Sequence, residues 1–376
     1  MGQERFRAMG GGSFFGALVY DRAVPPDHFL RRLRELVDWE GLTQEWVALY
    51  EGGAEYGPPP YHPGLVLKML FLTYLYNLSE RQVELFVNDS LSAKYFLGMA
   101  ADEPAPDSTT LSVFKKRLLA GLGTGAFEGL LEKVVRIARQ RGIVFGRIQV
   151  VDSVHTVADV DIEKEDRRQN RGDGAAAPRD PDARWGTKGK RVVRRADGQR
   201  ERRAEHFFGY KAHVSLNAAT GFITSLTVTS GEAYDGHHLP ALVQKDRAQR
   251  LPVAVYAGDR GYDDGENHAL LAEMGLKSAL RLNAYRTEKK NGNKAPWLRL
   301  QQDPDYQAGL RERYKVEQKF GEAKRGHGLR RCRYVGLVRY AVQAYLTAIM
   351  LNCKRLVKLL TGIGPRTAPR RVPLAA

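Results

Sequence analysis

The chain has 376 residues, enough for about two or three domains with a sizeable core. Its formal net charge is +16 and its pI about 9.8, an excess that argues against an ordinary metabolic enzyme and for a polyanionic partner, most simply nucleic acid. Cys332 and Cys353 form neither a metal-ligand spacing nor a disulfide framework, which fits a reducing cytoplasm. The start, MGQERFRAMGGGSFF, lacks an apolar stretch of signal-peptide length. The most apolar run, Leu65 to Tyr76, contains Lys68 and is too short to span a bilayer. The expectation is a cytoplasmic protein with no membrane segment.

Residues 1–24 read as a loosely structured N-terminal arm, Gly-rich at its start. Residues 25–145 read as an all-α domain. Pro25-Pro26-Asp27 opens a helix, HFLRRLRELVDW, with Phe29, Leu33, Leu36 and Val37 on its buried side. The run YGPPPYHP breaks the chain, and the nearly all-apolar Gly64 to Asn77 should be a central helix. Ser79 and Gln82 form a capping box. Asp107 to Thr110 cap a further helix, and Phe127 to Gln140 are amphipathic. The basic patch Lys115-Lys116-Arg117 permits a helix-turn-helix reading. A bundle that only supports the next domain explains the same pattern equally well.

At Gly146 the pattern changes, and residues 146–361 read as a second domain. RIQVVDSVHTV alternates as a strand. Residues 163–203 form a polar basic insertion without either hydrophobic period. Its part from Arg184 to Arg203 holds nine Arg and Lys against two acids, net +7. Such a segment has no core of its own and is expected, without DNA, to be mobile or held only by its ends. Two β-rich runs follow, joined by the hairpin signal Asn217 to Gly221. Then come a helix from His238 to Arg250, the strand VAVYAGD, a helix from Asp264 to Met274 and the strand LKSALRL. Ala284 to Gly309 reads as a polar loop, Arg311 to Arg325 as a helix, and Leu337 to Leu360 as a core helix. Residues 362–376 have the composition of a disordered tail. Antiparallel strands first and parallel additions after give an α/β fold with the RNase H-like order: a mixed sheet flanked by helices.

Asp152 stands inside a hydrophobic strand, where a carboxylate must be paired, protonated or bound to a cation. Asp259 ends the strand VAVYAGD, at a carboxyl edge where ligands of open α/β sheets collect. If these two strands are neighbours, the two Asp lie side by side. At ~3.6 residues per turn, Arg313, Glu317, Phe320 and Lys324 share one helix face. Taken singly, each Asp is a turn cap and the helix face an ordinary surface stripe with i,i+4 ion pairs. Together the carboxylates suit Mg²⁺ or Mn²⁺. Two such ions about 4 Å apart serve phosphodiester chemistry. His155 reads as a packed core residue, His237-His238 as helix capping, and Asp159, Asp161, Glu163 and Glu165 as a solvated loop. Lys211 is a surface lysine or reaches a phosphate. Trp297, in a cationic loop, either covers an apolar patch or stacks on an extruded base.

Several blocks carry a resemblance over residues 20–360: VPPDHFLRRLRELVDW, YHPGLVLKMLFLTYLYNLSERQVE, APDSTTLSVFKKRL, VVDSVHTVA, FGYKAHVSLNAATGFITSLTVTSG, YAGDRGY and RYKVEQKFGEAKRGHGL. The chain resembles bacterial insertion-sequence transposases of the D-D-E type with an InsH-like helical N-terminal domain. The resemblance implies an RNase H-like catalytic core in which Asp152, Asp259 and Glu317 hold two Mg²⁺ or Mn²⁺ ions. It implies hydrolytic nicking at element ends, followed by attack of the freed 3′-hydroxyl on target DNA. The family's Tyr-Arg-Glu-Lys signature maps its last three members onto Arg313, Glu317 and Lys324, while Leu310 replaces the Tyr. Gly258 replaces the more usual Ala before Asp259. Arg313 and Lys324, with Lys211, Arg191, Arg194 and Arg195, are the expected DNA contacts. Double-stranded DNA and a second copy of the chain are the expected partners. Two other readings stay open: a nuclease on the same fold without strand transfer, and a non-catalytic DNA-binding protein derived from a transposase.

Overall fold

The computed structural model describes residues 6–7, 14–50, 59–170, 178–194, 199–283 and 299–365. The chain divides into two compact units, residues 1–138 with 349–376, and residues 139–348.

The first unit is helical: α1 (Phe14–Ala23), α2 (Phe29–Leu36), α3 (Trp39–Thr43), α4 (Pro63–Leu75), α5 (Glu80–Asp89), α6 (Leu91–Leu97), α7 (Ser108–Leu122) and most of α8 (Gly125–Gln140). Helix α4 is its centre, since every one of its residues is buried. Pro63 stands at its first turn, where no amide donor is needed, and His62 Nδ1 accepts from Gly64 N at 3.1 Å. The capping box at α5 is formed in full, Gln82 N donating to Ser79 Oγ and Ser79 N to Gln82 Oε1. Residues 14–23 correct the expected loose arm. They are helical, and the buried Tyr20 hydroxyl donates to Met99 O at 2.8 Å. The basic patch on α7 is also partly absorbed. Lys115 is buried against Glu80 of α5, which accepts from Ser112 Oγ as well, and Arg117 lies 4.1 Å over the Tyr50 ring.

The second unit is built on one mixed sheet: β1 (Ile148–Val157), β2 (Arg184–Arg194), β3 (Arg200–Asn217), β4 (Ile223–Ser230), β5 (Val255–Gly258) and β6 (Lys277–Leu280). Strand β3 pairs antiparallel with β1 and β4, and β5 pairs parallel with β1 and β6. The order β4-β3-β1-β5-β6 is the RNase H-like order expected from the sequence. Between the strands lie α9 (Ile162–Asn170), α10 (Leu239–Ala248) and α11 (Gly265–Glu273); α12 (Pro304–Glu312), α13 (Tyr314–Gly326) and α14 (Leu337–Thr361) follow. A core of Val151, Tyr256 and Leu280 packs against Leu239, Leu242, Val243 and Leu271 of α10 and α11. On α12, a Cβ at Gly309 would stand 2.5 Å from Ala279 Cβ and 3.1 Å from Ala257 Cβ. Only glycine lets α12 lie that close to β5 and β6, and this contact fixes where α13 begins.

Two further expectations are corrected. The loop from Ala284 to Gly309 ends early, because Pro304 at the first turn and the Asp303 cap start α12. The basic insertion, read as lacking either hydrophobic period, holds regular elements where described. It contains α9, then β2 and the first half of β3, which form a two-stranded ribbon from Arg184↔Gly209 to Arg194↔Arg200. Ladder hydrogen bonds pair its inward backbone groups and water meets the outer ones, so it needs no core. Glu165, expected in a solvated loop, is buried in α9 and accepts from Arg179 N at 3.3 Å.

Candidate active site

Strand β1 carries Asp152 opposite Val214 of β3. On its other edge, β5 runs parallel in the register Val150↔Ala257. Carried two residues on, that register sets Asp152 level with Asp259, which follows β5 directly. Asp259 caps a 3-10 turn, Arg260–Tyr262, with Oδ1 accepting from Gly261 N at 2.8 Å. The turn-cap role expected of a lone Asp is therefore real, and it uses one carboxylate oxygen. Asp152 Oδ1 accepts from Ser153 N at 2.8 Å.

Burial and then the charge of Asp259 push the Asp152 carboxyl up to about 7; Ser153 N and Arg313 oppose them, and Asp235 adds to the rise. Tyr262 is wholly buried, and its hydroxyl has no hydrogen-bond partner among the described residues. Its pKa is raised by burial and by the charges of Asp152, Asp235 and Asp259. A crowded carboxylate pair and an orphaned hydroxyl are the surroundings a cation would relieve. The donors are all oxygen, which fits Mg²⁺ or Mn²⁺.

Glu317 lies on α13, one turn after Arg313, with a half-exposed side chain. Arg313 stands between the acids, with Nη2 at 2.6 Å from Glu317 Oε1 and Nη1 at 3.8 Å from Asp152 Oδ2. The helix expected over 311–325 is divided at this residue into α12 and α13. Among the described residues, no three His, Cys, Asp or Glu side chains stand close enough to hold one ion. The structure thus brings Asp152 and Asp259 together and ties Glu317 to them through a guanidinium. Glu322 is turned to Lys319 at 3.1 Å.

Lys324 Nζ lies 3.2 Å from His155 Nε2, and the His155 ring packs on Phe207 at 4.9 Å. His155 is therefore a partner of Lys324 and not only a packed core residue. Burial, then Lys324, Lys188 and Lys211, lower His155 to about 4, so it is neutral at pH 7. Burial, then Lys188 and Arg330, lower Lys324 to about 8, against the pull of Asp152.

Lys211 corrects the expectation of a free phosphate contact. Its ammonium donates to Asp235 Oδ1 at 2.9 Å and to Ala233 O at 2.8 Å. His238 makes no side-chain cap; it stacks on the buried His213 with ring centroids 4.2 Å apart. Arg191 and Arg194 belong to β2, and Arg194 is exposed. Arg195 and Trp297 lie outside the described residues.

Sequence reading missed Asp235, Tyr262, Lys188 and Asn267. Asn267 is buried in α11 and donates to Gly236 O and Tyr262 O, both at 3.1 Å. It thereby joins the turn of Asp235 to the turn of Asp259. The one sequence signal was the Asp235-Gly236 pair, which read as a helix start.

Two family models match. One described as a transposase domain (DUF772) covers residues 18–117, and one described as a transposase DDE domain covers residues 168–353. The second includes Asp259 and Glu317 and begins after Asp152. Among solved structures, the chain is similar to the Mos1 strand transfer complex at 11% identity and a TM-score of 0.20, over 86% of this chain and 87% of that one. It is also similar to the Mos1 transposase paired-end complex with the left transposon end, at 11% identity and a TM-score of 0.20, over 85% and 94%. The RNase H-like assignment rests on the strand order given above. With transposase models matched on both the helical unit and the sheet, the chain belongs to the DDE transposases of insertion sequences.

Proposed function

We propose that this transposase hydrolyses phosphodiester bonds at the ends of its element and joins the freed 3′-hydroxyl to target DNA. The observation that supports this most is the crowding of Asp152 and Asp259, which come from neighbouring parallel strands and raise the Asp152 carboxyl. Asp152, Asp259 and Glu317 would hold two Mg²⁺ or Mn²⁺ ions. When bound, such ions supply Lewis acidity at the phosphoryl oxygens and a more acidic attacking water or hydroxyl. The chain's own residues do the rest. Arg313 orients Glu317 toward Asp152. Asp259 Oδ1 holds its turn, so the carboxylate is fixed before DNA arrives. Lys324 and Lys188 place positive charge beside the acids, where a phosphate would otherwise be repelled. Duplex DNA is the substrate, and a homodimer would present one such site to each of the two element ends.

The test is to incubate the protein with labelled duplexes from the borders of its own element, Mg²⁺ and a target plasmid. Joined products are expected, and Asp152→Ala, Asp259→Ala or Glu317→Ala should each abolish cleavage while leaving DNA binding largely intact. Cleaved ends that are never joined would point to a nuclease. Loss of cleavage with Glu322→Ala but not with Glu317→Ala would remove Glu317 from the site.

A further inference from the structure

The ribbon formed by β2 and the first half of β3 has two chemically different faces. Side chains directly opposite in an antiparallel pair share a face. One face carries the pairs Arg194↔Arg200 and Val192↔Arg202: three cations and no carboxylate. The other carries Glu201, Arg203 and Glu205 of β3. On that second face Glu201 accepts from Arg203 at 3.1 Å, and Glu205 lies 3.6 Å from Lys188. Its charge is neutralised within the ribbon.

Among the described residues the first face shows no such ion pair. Arg194, Arg200 and Arg202 are exposed, and Arg194 directly faces Arg200. Like charges directly opposite destabilise a strand pair, and a polyanion seated on them relieves the cost. Amid these cations Val192 is 54% exposed, an apolar residue with no core to join. Where the ribbon leaves the sheet, Lys188 is a bulge residue and Gly189 has φ +119, which strengthens the local twist. A two-stranded ribbon fits the DNA major groove, where cations reach phosphates and base edges and an apolar side chain meets the thymine methyl.

We infer that the face of Arg194, Arg200, Arg202 and Val192 docks in the major groove of duplex DNA, with the face of Glu201, Arg203 and Glu205 turned away. This rests on the reading of the chain as a DNA-acting transposase and assigns a side to its basic arm. It adds Arg200 and Arg202 to the DNA contacts expected from charge alone. Lys188 places the base of the ribbon beside Lys324, so DNA held by the ribbon runs toward the acids.

Three proteins decide the matter: wild type, the triple variant Arg194→Ala, Arg200→Ala, Arg202→Ala, and the double variant Arg191→Ala, Arg203→Ala. Circular dichroism and thermal melting establish that each is folded, and the triple Arg→Lys variant is the second measurement should the alanines unfold the ribbon. Binding to border and random duplexes is measured against salt. The triple variant should lower the slope of log affinity on log salt by about 2–3, at ~0.9 per lost phosphate contact, and the double variant should change it by less than about 1. Lysine replacements should restore the slope. Guanine N7 protection from dimethyl sulfate, which reads the major groove, should appear with wild type and vanish with the triple variant. Equal losses from both variants, or slopes unchanged with an altered oligomeric mass, overturn the inference. Strand joining is scored separately. A protein that joins DNA with indifferent ribbon faces sinks only this inference, while face-dependent binding without cleavage sinks only the proposed chemistry.

Discussion

Asp152 and Asp259 sit where each makes the other costly. A carboxyl raised to about 7 against an ordinary 3.8 binds its proton more tightly in the folded chain than in the unfolded one. The sign follows directly. Without metal, stability from this group is full below the unfolded pKa and is lost as pH rises through the folded one, between about 4 and 7. Asp152→Asn removes the charge and the dependence. In EDTA at pH 8 it should unfold at higher temperature than wild type, by up to about 4 kcal/mol of stability, with the two converging near pH 4. Parallel pH profiles for the two proteins would show that Asp152 titrates as an ordinary surface acid. The two Asp were legible in the sequence because a charge inside or at the end of an apolar strand has few explanations. Asp235 and Tyr262 were not legible. They reach the site through turns that pack together and that Asn267 joins by donating to both. Nothing local in TSGEAYDGHH announces that contact. Lys211 was visible as a cation, but its partner lies 24 residues on.

At the scale of elements, the helices and strands with a buried face could be read, and the ribbon could not. Periodicity reports a core face, and the ribbon has none. Its composition showed the charge, while the pairing that orders it is backbone chemistry without a side-chain signature. The basic patch on α7 failed for a related reason. Lys115, Lys116 and Arg117 look alike in sequence, yet Lys115 is buried on Glu80 while Lys116 is exposed. Glu80→Ala takes the carboxylate partner from a buried ammonium and should cost about 3–5 kcal/mol in urea unfolding. Lys115→Met, which removes the buried charge from its side of the pair, should cost less and leave DNA affinity unchanged. Weakened DNA binding by a stable Lys115→Met protein would restore the patch to a DNA-facing role. Asn267→Leu belongs to the same scale. It takes a donor from Tyr262 O and from Gly236 O, the second of which keeps Leu239 N, and should destabilise by about 1–3 kcal/mol, detectable as a lowered urea midpoint.

Over the whole molecule the charge is +16, but its effect on DNA is not uniform. On the proposed reading the ribbon face, Lys188 and Lys324 attract phosphate, while Asp152 and Asp259 crowd negative charge into an island near Lys324. Without a divalent cation this island repels the strand that the basic surface draws in. The double variant Asp152→Asn, Asp259→Asn should therefore bind duplex DNA several-fold more tightly than wild type in EDTA, and the gain should shrink as salt screens it over about 10 Å. Ca²⁺ is a suitable probe, since it takes oxygen ligands as Mg²⁺ does. Adding Ca²⁺ should raise wild-type affinity to that of the variant and leave the variant unchanged. Fluorescence anisotropy with a labelled random duplex measures all four cases. If wild type and variant bind alike in EDTA, the acids lie away from the path of the DNA. If Ca²⁺ strengthens both equally, it acts on the DNA or elsewhere on the protein, and the paired Asp do not hold it.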